Sequence, residues 1–204
     1  MKRQFLLCSL LALSAFMGGC ASMSSDMEAS KETTAAPAQG KALVVFFRDS
    51  FFGGGIQSEL FEMNGPDKEP TFLGFVSSGT KVAYQAEPGD HMFMIESEAA
   101  DFAAAHLVAG KTYYVMVEPR MGVWKARFSL EPIHKAPGKY SLQSPDFPKW
   151  MSDTKFVEQK PSAMDWYNDN KDDVLTKQKK YWNDWVTDDQ GSRDDHTLAA
   201  DDGN

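Results

Sequence analysis

Few residue patterns in this chain are suited to catalysis. Glu96 and Glu98 are two positions apart, so on a strand their carboxylates would lie on one face, an arrangement that suits general acid–base chemistry. Exposed strand faces commonly carry such pairs, so this spacing alone predicts no active site. The sequence also contains no Gly-x-Ser-x-Gly elbow, no phosphate-binding glycine loop and no His-Glu-x-x-His motif. We therefore expect no catalytic residues.

Metal-ligand patterns are equally scarce. Residues 168–173 (NDNKDD) are similar to the start of a calcium loop, but Asp173 stands where the loop needs glycine and Lys179 where it needs glutamate. None of the four histidines belongs to a metal-ligand pair in the sequence: His91, His106, His134 and His196. We expect neither a metal site nor a cofactor.

Aromatic side chains are the more promising binding groups, at 12% of the residues. Exposed aromatic rings can stack on sugars or anchor a protein interface. For the pair of phenylalanines in the loop DSFFGGG, the alternative is that they cap one end of the core. The candidate contacts for a ligand or partner are Phe51, Phe52, Trp124, Trp182 and Trp185.

The first twenty residues have the parts of an export signal. Lys2 and Arg3 precede a 13-residue apolar stretch, and two glycines precede Cys20. Residues 17–20 (MGGC) resemble a bacterial lipobox, in which the cysteine is acylated, with chains such as palmitate, and becomes the mature N-terminus. Met17 stands where the usual lipobox has leucine. The alternative is a plain secretory signal followed by an incidental cysteine.

The resemblance implies that residues 1–19 are a lipoprotein signal peptide and that Cys20 carries the lipid. Acyl chains contribute about 0.8 kcal/mol per buried CH₂ group, which is enough for stable anchoring without a membrane-spanning helix. By resemblance to lipoprotein sorting rules, Ala21 in place of aspartate favours the outer membrane. We expect a protein anchored there, on the periplasmic face.

The composition is that of a globular protein. The chain has 204 residues, 42% hydrophobic and 25% charged, which fits one domain with appendages. Its net charge of −8 argues against nucleic-acid binding. Residues 20–40 are small and polar, which predicts a flexible tether between the lipid and the folded part.

The folded part begins near Lys41, where short apolar runs alternate with Gly and Pro turns. Residues 42–48 (ALVVFFR) are too apolar for a half-exposed strand and predict a central one. Ala103–Ala105 favour a short helical turn within residues 102–108. We predict a mainly β fold, an antiparallel β-sandwich of about seven strands with a C-terminal helical extension. The other candidate strands are residues 57–63, 71–76, 81–86, 91–97, 111–118 and 123–130.

Four motifs carry a resemblance to a known family: a first strand ending in Arg48, the loop Gly53-Gly54-Gly55, the turn Pro88-Gly89-Asp90-His91, and residues 109–114 (AGKTYY). In this order they resemble the DUF2846 family, small domains of unknown function common in bacterial lipoproteins. The resemblance covers residues 41–133. It implies a β-sandwich and a cell-envelope setting, and it implies no catalytic residues.

Three segments follow the sandwich. Residues 134–161 form a Pro-rich connector, whose Phe147 and Trp150 we expect to contact the sandwich. Residues 162–186 predict an amphipathic helix, which either extends the core or docks a partner or a second copy. Residues 187–204 hold six aspartates and one arginine, which predicts an acidic disordered tail, with metal binding as the alternative. The predicted stripe of the helix contains Met164, Tyr167, Val174, Leu175, Tyr181, Trp182 and Trp185.

Together these patterns predict a lipid-anchored lipoprotein of the cell envelope that acts as a non-catalytic protein-interaction or scaffold module. The expected partners are outer-membrane lipid, through Cys20, and an envelope protein or peptidoglycan. Glycan or peptidoglycan binding through Phe51, Phe52 and Trp124 is the alternative. A hydrolase is a third possibility, which requires two acidic residues to converge in a cleft.

Overall fold

The computed structural model describes residues 23–50, 52, 54–121 and 126–204. The predicted signal peptide with Cys20, and two of the candidate contacts, Phe51 and Trp124, lie outside these residues. The described chain is mainly β and forms two sheets, with a long helix near the C-terminus. The predicted sandwich with a helical extension is therefore confirmed.

Both sheets are mixed and not purely antiparallel as predicted, because three strand pairs are parallel: β2 (Ala42–Arg48) with β8 (Thr112–Met121), β5 (Thr80–Ala86) with β10 (Lys155–Gln159), and β7 (Ala100–Leu107) with β11 (Thr197–Leu198). The first sheet has the order β1 (Met27–Ala29), β10 (Lys155–Gln159), β5 (Thr80–Ala86), β2 (Ala42–Arg48), β8 (Thr112–Met121) and β9 (Ala126–Pro132). The second sheet has the order β11 (Thr197–Leu198), β7 (Ala100–Leu107), β6 (Gly89–Glu96), β3 (Ser58–Glu62) and β4 (Thr71–Val76).

Strand β2 is buried along its whole length, as its unbroken apolar sequence predicts. Its Phe46 faces the second sheet, where the ring meets Phe93 with centroids 5.0 Å apart. Its Phe47 faces the opposite side and packs against Trp150 of helix α1 (Phe147–Asp153). Because both faces of β2 are covered, no alternation of polar and apolar residues is possible in it.

Each of the seven predicted strands is present among the eleven of the described chain, and one of the four additional strands, β7, lies where a short helical turn was expected. That expectation is wrong: β7 pairs with β6 in register over eight residues. Its Ala103 and Ala105 are fully buried. Alanine favours helix in isolation, but backbone pairing and burial between neighbouring elements override that preference.

Helix α2 (Pro161–Thr187) covers the outer face of the second sheet. Tyr167 stacks on Phe72 with an interplanar angle of 10°, and Trp182 meets the edge of Phe102. Gln178, which interrupts the apolar stripe, is fully buried and donates hydrogen bonds to three carbonyl groups of the turn at residues 65–68. The helix therefore extends the core, although Met164 is exposed.

The tether prediction is wrong for part of the segment 20–40. Residues 27–29 form β1, which pairs antiparallel with β10. Met27 is 1% exposed and lies against Gly74, where a Cβ would come within 3.0 Å of the Met27 methyl carbon. Met27, the buried Ser24 and pairing at the edge of a sheet hold a segment whose composition is polar.

The connector 134–161 contains regular structure, namely α1 and β10. Phe147 and Trp150 pack against a second apolar cluster formed by Phe47, Met116 and Ile133, as expected. Pro148 lies in the first turn of α1, where the missing amide hydrogen does no harm.

The prediction of a disordered tail at 187–204 is also wrong. Helix α3 (Gln190–Asp195) and β11 lie within it, and the buried Asp202 accepts hydrogen bonds from the amides of Lys135 and Ala199. Asn204 and Thr112 exchange both of their backbone hydrogen bonds. Asp188 and Asp189 cap helices, Asp194 and Asp195 lie in α3, and Asp201 and Asp202 lie in a turn, so the composition of this docked segment did not predict its structure.

Candidate functional site

Two glutamates of the second sheet face helix α2. Strands β3 and β6 are antiparallel, and their register sets Glu59 directly opposite Glu96. Residues that are paired in this way project their side chains from the same face of the sheet, with their Cβ atoms about 4.5–5.5 Å apart. Phe61, two positions along the same face, contacts Tyr167 of α2. Both carboxylates therefore point to the side of the sheet that the helix covers.

A cavity of about 540 Å³ lies between these strands and α2. This volume is in the range of small-ligand pockets. Its walls come from the loop before β3, the ends of β3 and β6, and one face of the helix. The side chains that define its chemistry are Ile56, Glu59, Glu96, Trp166, Asp173 and Lys177.

Lys177 reaches from α2 to only one of the two glutamates. Its Nζ lies 2.8 Å from Oε1 of Glu96, 3.0 Å from Oδ2 of Asp173 and 3.1 Å from the carbonyl oxygen of Ser97. The second oxygen of Glu96, Oε2, is buried and has no hydrogen-bond partner among the described residues. The side chain of Glu96 is 3% exposed, so this oxygen has lost its hydration without a replacement.

The two glutamates differ in their electrostatic surroundings. Burial, and next the charge of Glu96, raise the pKa of Glu59 to about 8. Burial also raises the pKa of Glu96, while Lys177 opposes that shift. Burial alone would lower the pKa of Lys177, but its hydrogen bonds to Glu96 and Asp173 raise it overall. At neutral pH, Glu59 is therefore largely protonated, and Lys177 stays charged beside Glu96.

Arg48 does not line the cavity but supports the loop before β3. It is fully buried at the end of β2, and its guanidinium donates to the carbonyl oxygens of Ile56, at 2.7 Å, and Phe52, at 2.8 Å. It also lies over the ring of Phe128, 4.4 Å from the centroid. Burial lowers the pKa of Arg48 to about 10, which leaves it charged at neutral pH. The residue thus holds the loop that carries Ile56 to the cavity.

The sequence-predicted contact residues do not gather at this cavity. Trp182 and Trp185 pack against Phe102 and belong to the covered side of α2. Phe52 is exposed, at 53%. Glu98 lines the cavity but lies beyond the end of β6, so the expected pair of Glu96 and Glu98 on one strand face is replaced by a pair across two strands.

Neither Glu59 nor Lys177 belongs to a sequence pattern that indicates a site. The spacing of Glu59 and Phe61 does indicate that both side chains lie on one face of a strand. Only the register of β3 with β6 shows that Glu96 lies opposite Glu59. Lys177 lies among other lysines of a helix, and nothing in its spacing separates it from the exposed ones. Their positions follow from tertiary contacts.

A second polar cluster joins the two sheets. Glu62 of β3 accepts hydrogen bonds from Tyr84 of β5 and is paired with Nδ1 of His91. The hydrogen bond to Glu62 raises the pKa of His91, and the same contacts lower the pKa of Glu62 against the effect of burial. The three groups satisfy one another, so we interpret this cluster as a structural link.

His134 and His196 meet at another surface cleft, near Asp195. Within the described part of the chain, no group of three or more potential ligand side chains is arranged to hold a metal ion. Over the same residues, no helix is long and apolar enough to cross a lipid bilayer.

No protein-family model matches the chain, and no curated protein shows significant similarity to it.

Proposed function

We propose that the protein is a lipid-anchored lipoprotein of the cell envelope that acts as a non-catalytic interaction module, and that its partner binds at the cavity beneath α2. The observation that carries this proposal is Glu96, a residue that lines the cavity and whose buried Oε2 has no hydrogen-bond partner among the described residues. Buried polar atoms in folded proteins nearly always have a partner, so such an atom favours a bound group that supplies one.

The anchor part of the proposal depends on the lipobox-like residues 17–20 and on the DUF2846-like motifs. Intact-mass measurement and membrane fractionation test it, with Cys20→Ala as the matched variant. We expect a mature mass that begins at Cys20 with added acyl chains, and outer-membrane fractionation that Cys20→Ala abolishes. A soluble, unacylated product would contradict the anchor.

The binding part needs point variants, because deletion of the helix would remove core residues such as Tyr167 and Val174. Asn170 lines the cavity, whereas its neighbour Asp169 is exposed outside it. We expect Asn170→Arg to fill the cavity and to abolish co-purification of envelope partners, while Asp169→Arg retains them. The same set of partners with both variants would rule out the cavity as the binding site.

Turnover of a ligand receives less support than binding. Glu59 and Glu96 meet the requirement that two acids converge in one cleft. However, Glu96 is buried, and its Oε1 accepts a hydrogen bond from Lys177. A carboxylate in these surroundings is better suited to binding a group than to attacking it as a nucleophile.

Glycan binding at the glycine-rich loop is a second candidate, favoured by the 53% exposure of Phe52. Retention on purified cell-wall material tests it, with the double variant Phe51→Ala/Phe52→Ala as control. We expect the wild type to be retained and the double variant to be lost from the bound fraction. Equal retention of both proteins would end this candidate.

A further inference from the structure

The charged groups that line the cavity beneath α2 are already engaged within the fold. Lys177 carries three ammonium hydrogens, and three acceptors surround it: Oε1 of Glu96, Oδ2 of Asp173 and the carbonyl oxygen of Ser97. Glu98 also has a contact of its own in the fold. Among the described residues of its walls, the cavity therefore offers no spare cation for an anionic ligand and no spare charged acid for a cationic one.

Glu59 is the acidic residue of the cavity that no other described side chain binds. The hydrogen bond that its carboxyl group receives comes from its own backbone amide. The side chain is largely buried, yet part of its surface stays accessible in the cavity. An ionised Glu59 would face Glu96 from β6 and Asp173 from α2, while Lys177 is engaged by both of them. The neutral acid avoids this repulsion, in agreement with its raised pKa of about 8.

A neutral carboxyl group carries a donor and an acceptor side by side. Its hydroxyl donates a hydrogen bond and its carbonyl oxygen accepts one. A primary carboxamide has the complementary pair, because its NH₂ group donates and its carbonyl oxygen accepts. The two groups can therefore form two parallel hydrogen bonds. A ketone and a carboxylate both lack the N–H donor, so neither can form this pair with Glu59.

The remaining walls of the cavity suit an uncharged ligand. The Nδ2 group of Asn170 donates to the carbonyl oxygen of Trp166, at 2.8 Å, and no described group donates to its Oδ1, which stays available for a second amide hydrogen. Ile56, Val174 and Trp166 supply apolar wall for methylene groups. Mostly apolar walls with a few polar groups are typical of small-ligand sites. The volume of about 540 Å³ exceeds that of one carboxamide, so an attached alkyl chain also fits.

We propose that the cavity binds a primary carboxamide at the end of an alkyl chain, with the neutral carboxyl group of Glu59 as its partner in two hydrogen bonds and Oδ1 of Asn170 as a further acceptor. This chemistry is shared by a glutamine or asparagine side chain of a partner protein and by a free alkyl amide. The inference rests on the proposed function, since it names the group that the partner would insert.

Direct titration of the folded wild-type protein at pH 6 tests this inference without any variant. The probes are Nα-acetyl-glutamine methylamide and butyramide, each followed by NMR through the aromatic C–H signals of Trp166. The matched probes are Nα-acetyl-methionine methylamide and pentan-2-one, which have a similar shape but lack the terminal NH₂ group. We expect the carboxamides to bind with an affinity on the order of millimolar, which so few non-hydrogen atoms can supply, and the matched probes to bind at least tenfold more weakly.

A second titration at pH 9.5 tests the role of the neutral acid. Ionised Glu59 has lost its hydroxyl donor, so we expect wild-type binding of the carboxamides to weaken at least tenfold relative to pH 6. Glu59→Gln keeps a donor and an acceptor at both pH values, so its binding should be the same at both.

Two further variants identify the partner of the carboxamide. Glu59→Leu removes both hydrogen-bonding groups and should weaken binding at least tenfold at pH 6, whereas Glu28→Leu, at an exposed site on β1, should leave it unchanged. The melting temperature of each protein at each pH establishes that it is folded. Equal binding of the carboxamides and their matched probes, equal wild-type binding at the two pH values, or no carboxamide binding would overturn the inference.

The two proposals fail separately. Loss of co-purifying partners in Asn170→Arg without carboxamide binding by the wild type would leave the interaction site standing and remove the carboxamide assignment. Carboxamide binding with an unchanged set of partners would leave the carboxamide site and remove the proposed role in partner binding. If the glutamine compound binds and butyramide does not, the source of the carboxamide is a side chain of a partner protein.

Discussion

Glu59 and Glu96 lie directly opposite each other on β3 and β6, yet only Glu96 receives an ion pair from helix α2. This asymmetry gives two chemically identical side chains different protonation behaviour in one cavity. Lys177 holds a positive charge next to Glu96, while Glu59 is left with burial and a neighbouring acid. Four predictions follow from the contacts around this site and at the two ends of the described chain.

Removal of the Lys177 charge leaves Glu96 buried without compensation. We expect Lys177→Met to lower the free energy of unfolding by about 3 kcal/mol, the low end for a broken buried pair, because the lysine side chain is 27% exposed. Urea denaturation at pH 7 measures it. Lys179→Met, on the exposed side of the same helix, is the control and should change stability by about 0.5 kcal/mol or less. Similar values for the two variants would refute the role of the buried pair.

The raised pKa of Glu59 makes stability depend on pH. Between its unfolded value, near 4.5, and its folded value, about 8, the folded protein binds a proton that the unfolded chain has lost. Stability should therefore fall as pH rises through this window, by at most about 1.4 kcal/mol per pH unit. Urea denaturation from pH 5 to pH 8 measures the slope. Glu59→Gln should reduce it and Glu28→Gln should not; a slope that Glu59→Gln leaves unchanged would contradict the assignment.

Docking of β1 depends on Met27. Its side chain fills the space beside Gly74, so Met27→Ala should cost about 2 kcal/mol or more through a buried cavity. Met23→Ala, at a residue 38% exposed, should have little effect. Chemical denaturation compares the two. Equal and small effects would mean that β1 contributes nothing to stability.

Docking of the C-terminal segment depends on Asp202. Loss of its hydrogen bonds to the amides of Lys135 and Ala199 should cost about 1–3 kcal/mol. We expect Asp202→Ala to speed hydrogen exchange of the Thr112 amide about tenfold or more, because this amide bonds to the carbonyl oxygen of Asn204. Asp201→Ala, at the exposed neighbour, should not change the rate. Unchanged exchange in Asp202→Ala would show that other contacts hold the segment.

Local sequence patterns predicted the elements that local physics controls. The unbroken apolar run of β2 indicated a strand covered on both faces, and the spacing of Tyr167, Val174 and Trp182 indicated the helix. They failed at β7, where alanines suggested helix. Its backbone is instead paired with β6, a contact that no local pattern encodes.

Predictions of disorder from composition were wrong at the two ends of the described chain. The segments around Met27 and Asp202 are polar and were predicted to be disordered, yet each is held by a few buried side chains and by hydrogen bonds to the rest of the fold. Low average hydrophobicity predicts that a segment cannot fold alone. It does not predict whether an existing sheet offers an edge on which the segment can pair.

By itself, the sequence determined seven of the strands, the long helix and the two-sheet class, because hydrophobic periodicity is set by which face of each element is buried. Only the tertiary structure decided the site. Glu59, Glu96 and Lys177 are ordinary charged residues in three separate segments. The register of β3 with β6 and the packing of α2 on the second sheet bring them to one cavity. Register and docking are long-range choices, so the chemistry of the cavity could not be deduced from any one segment.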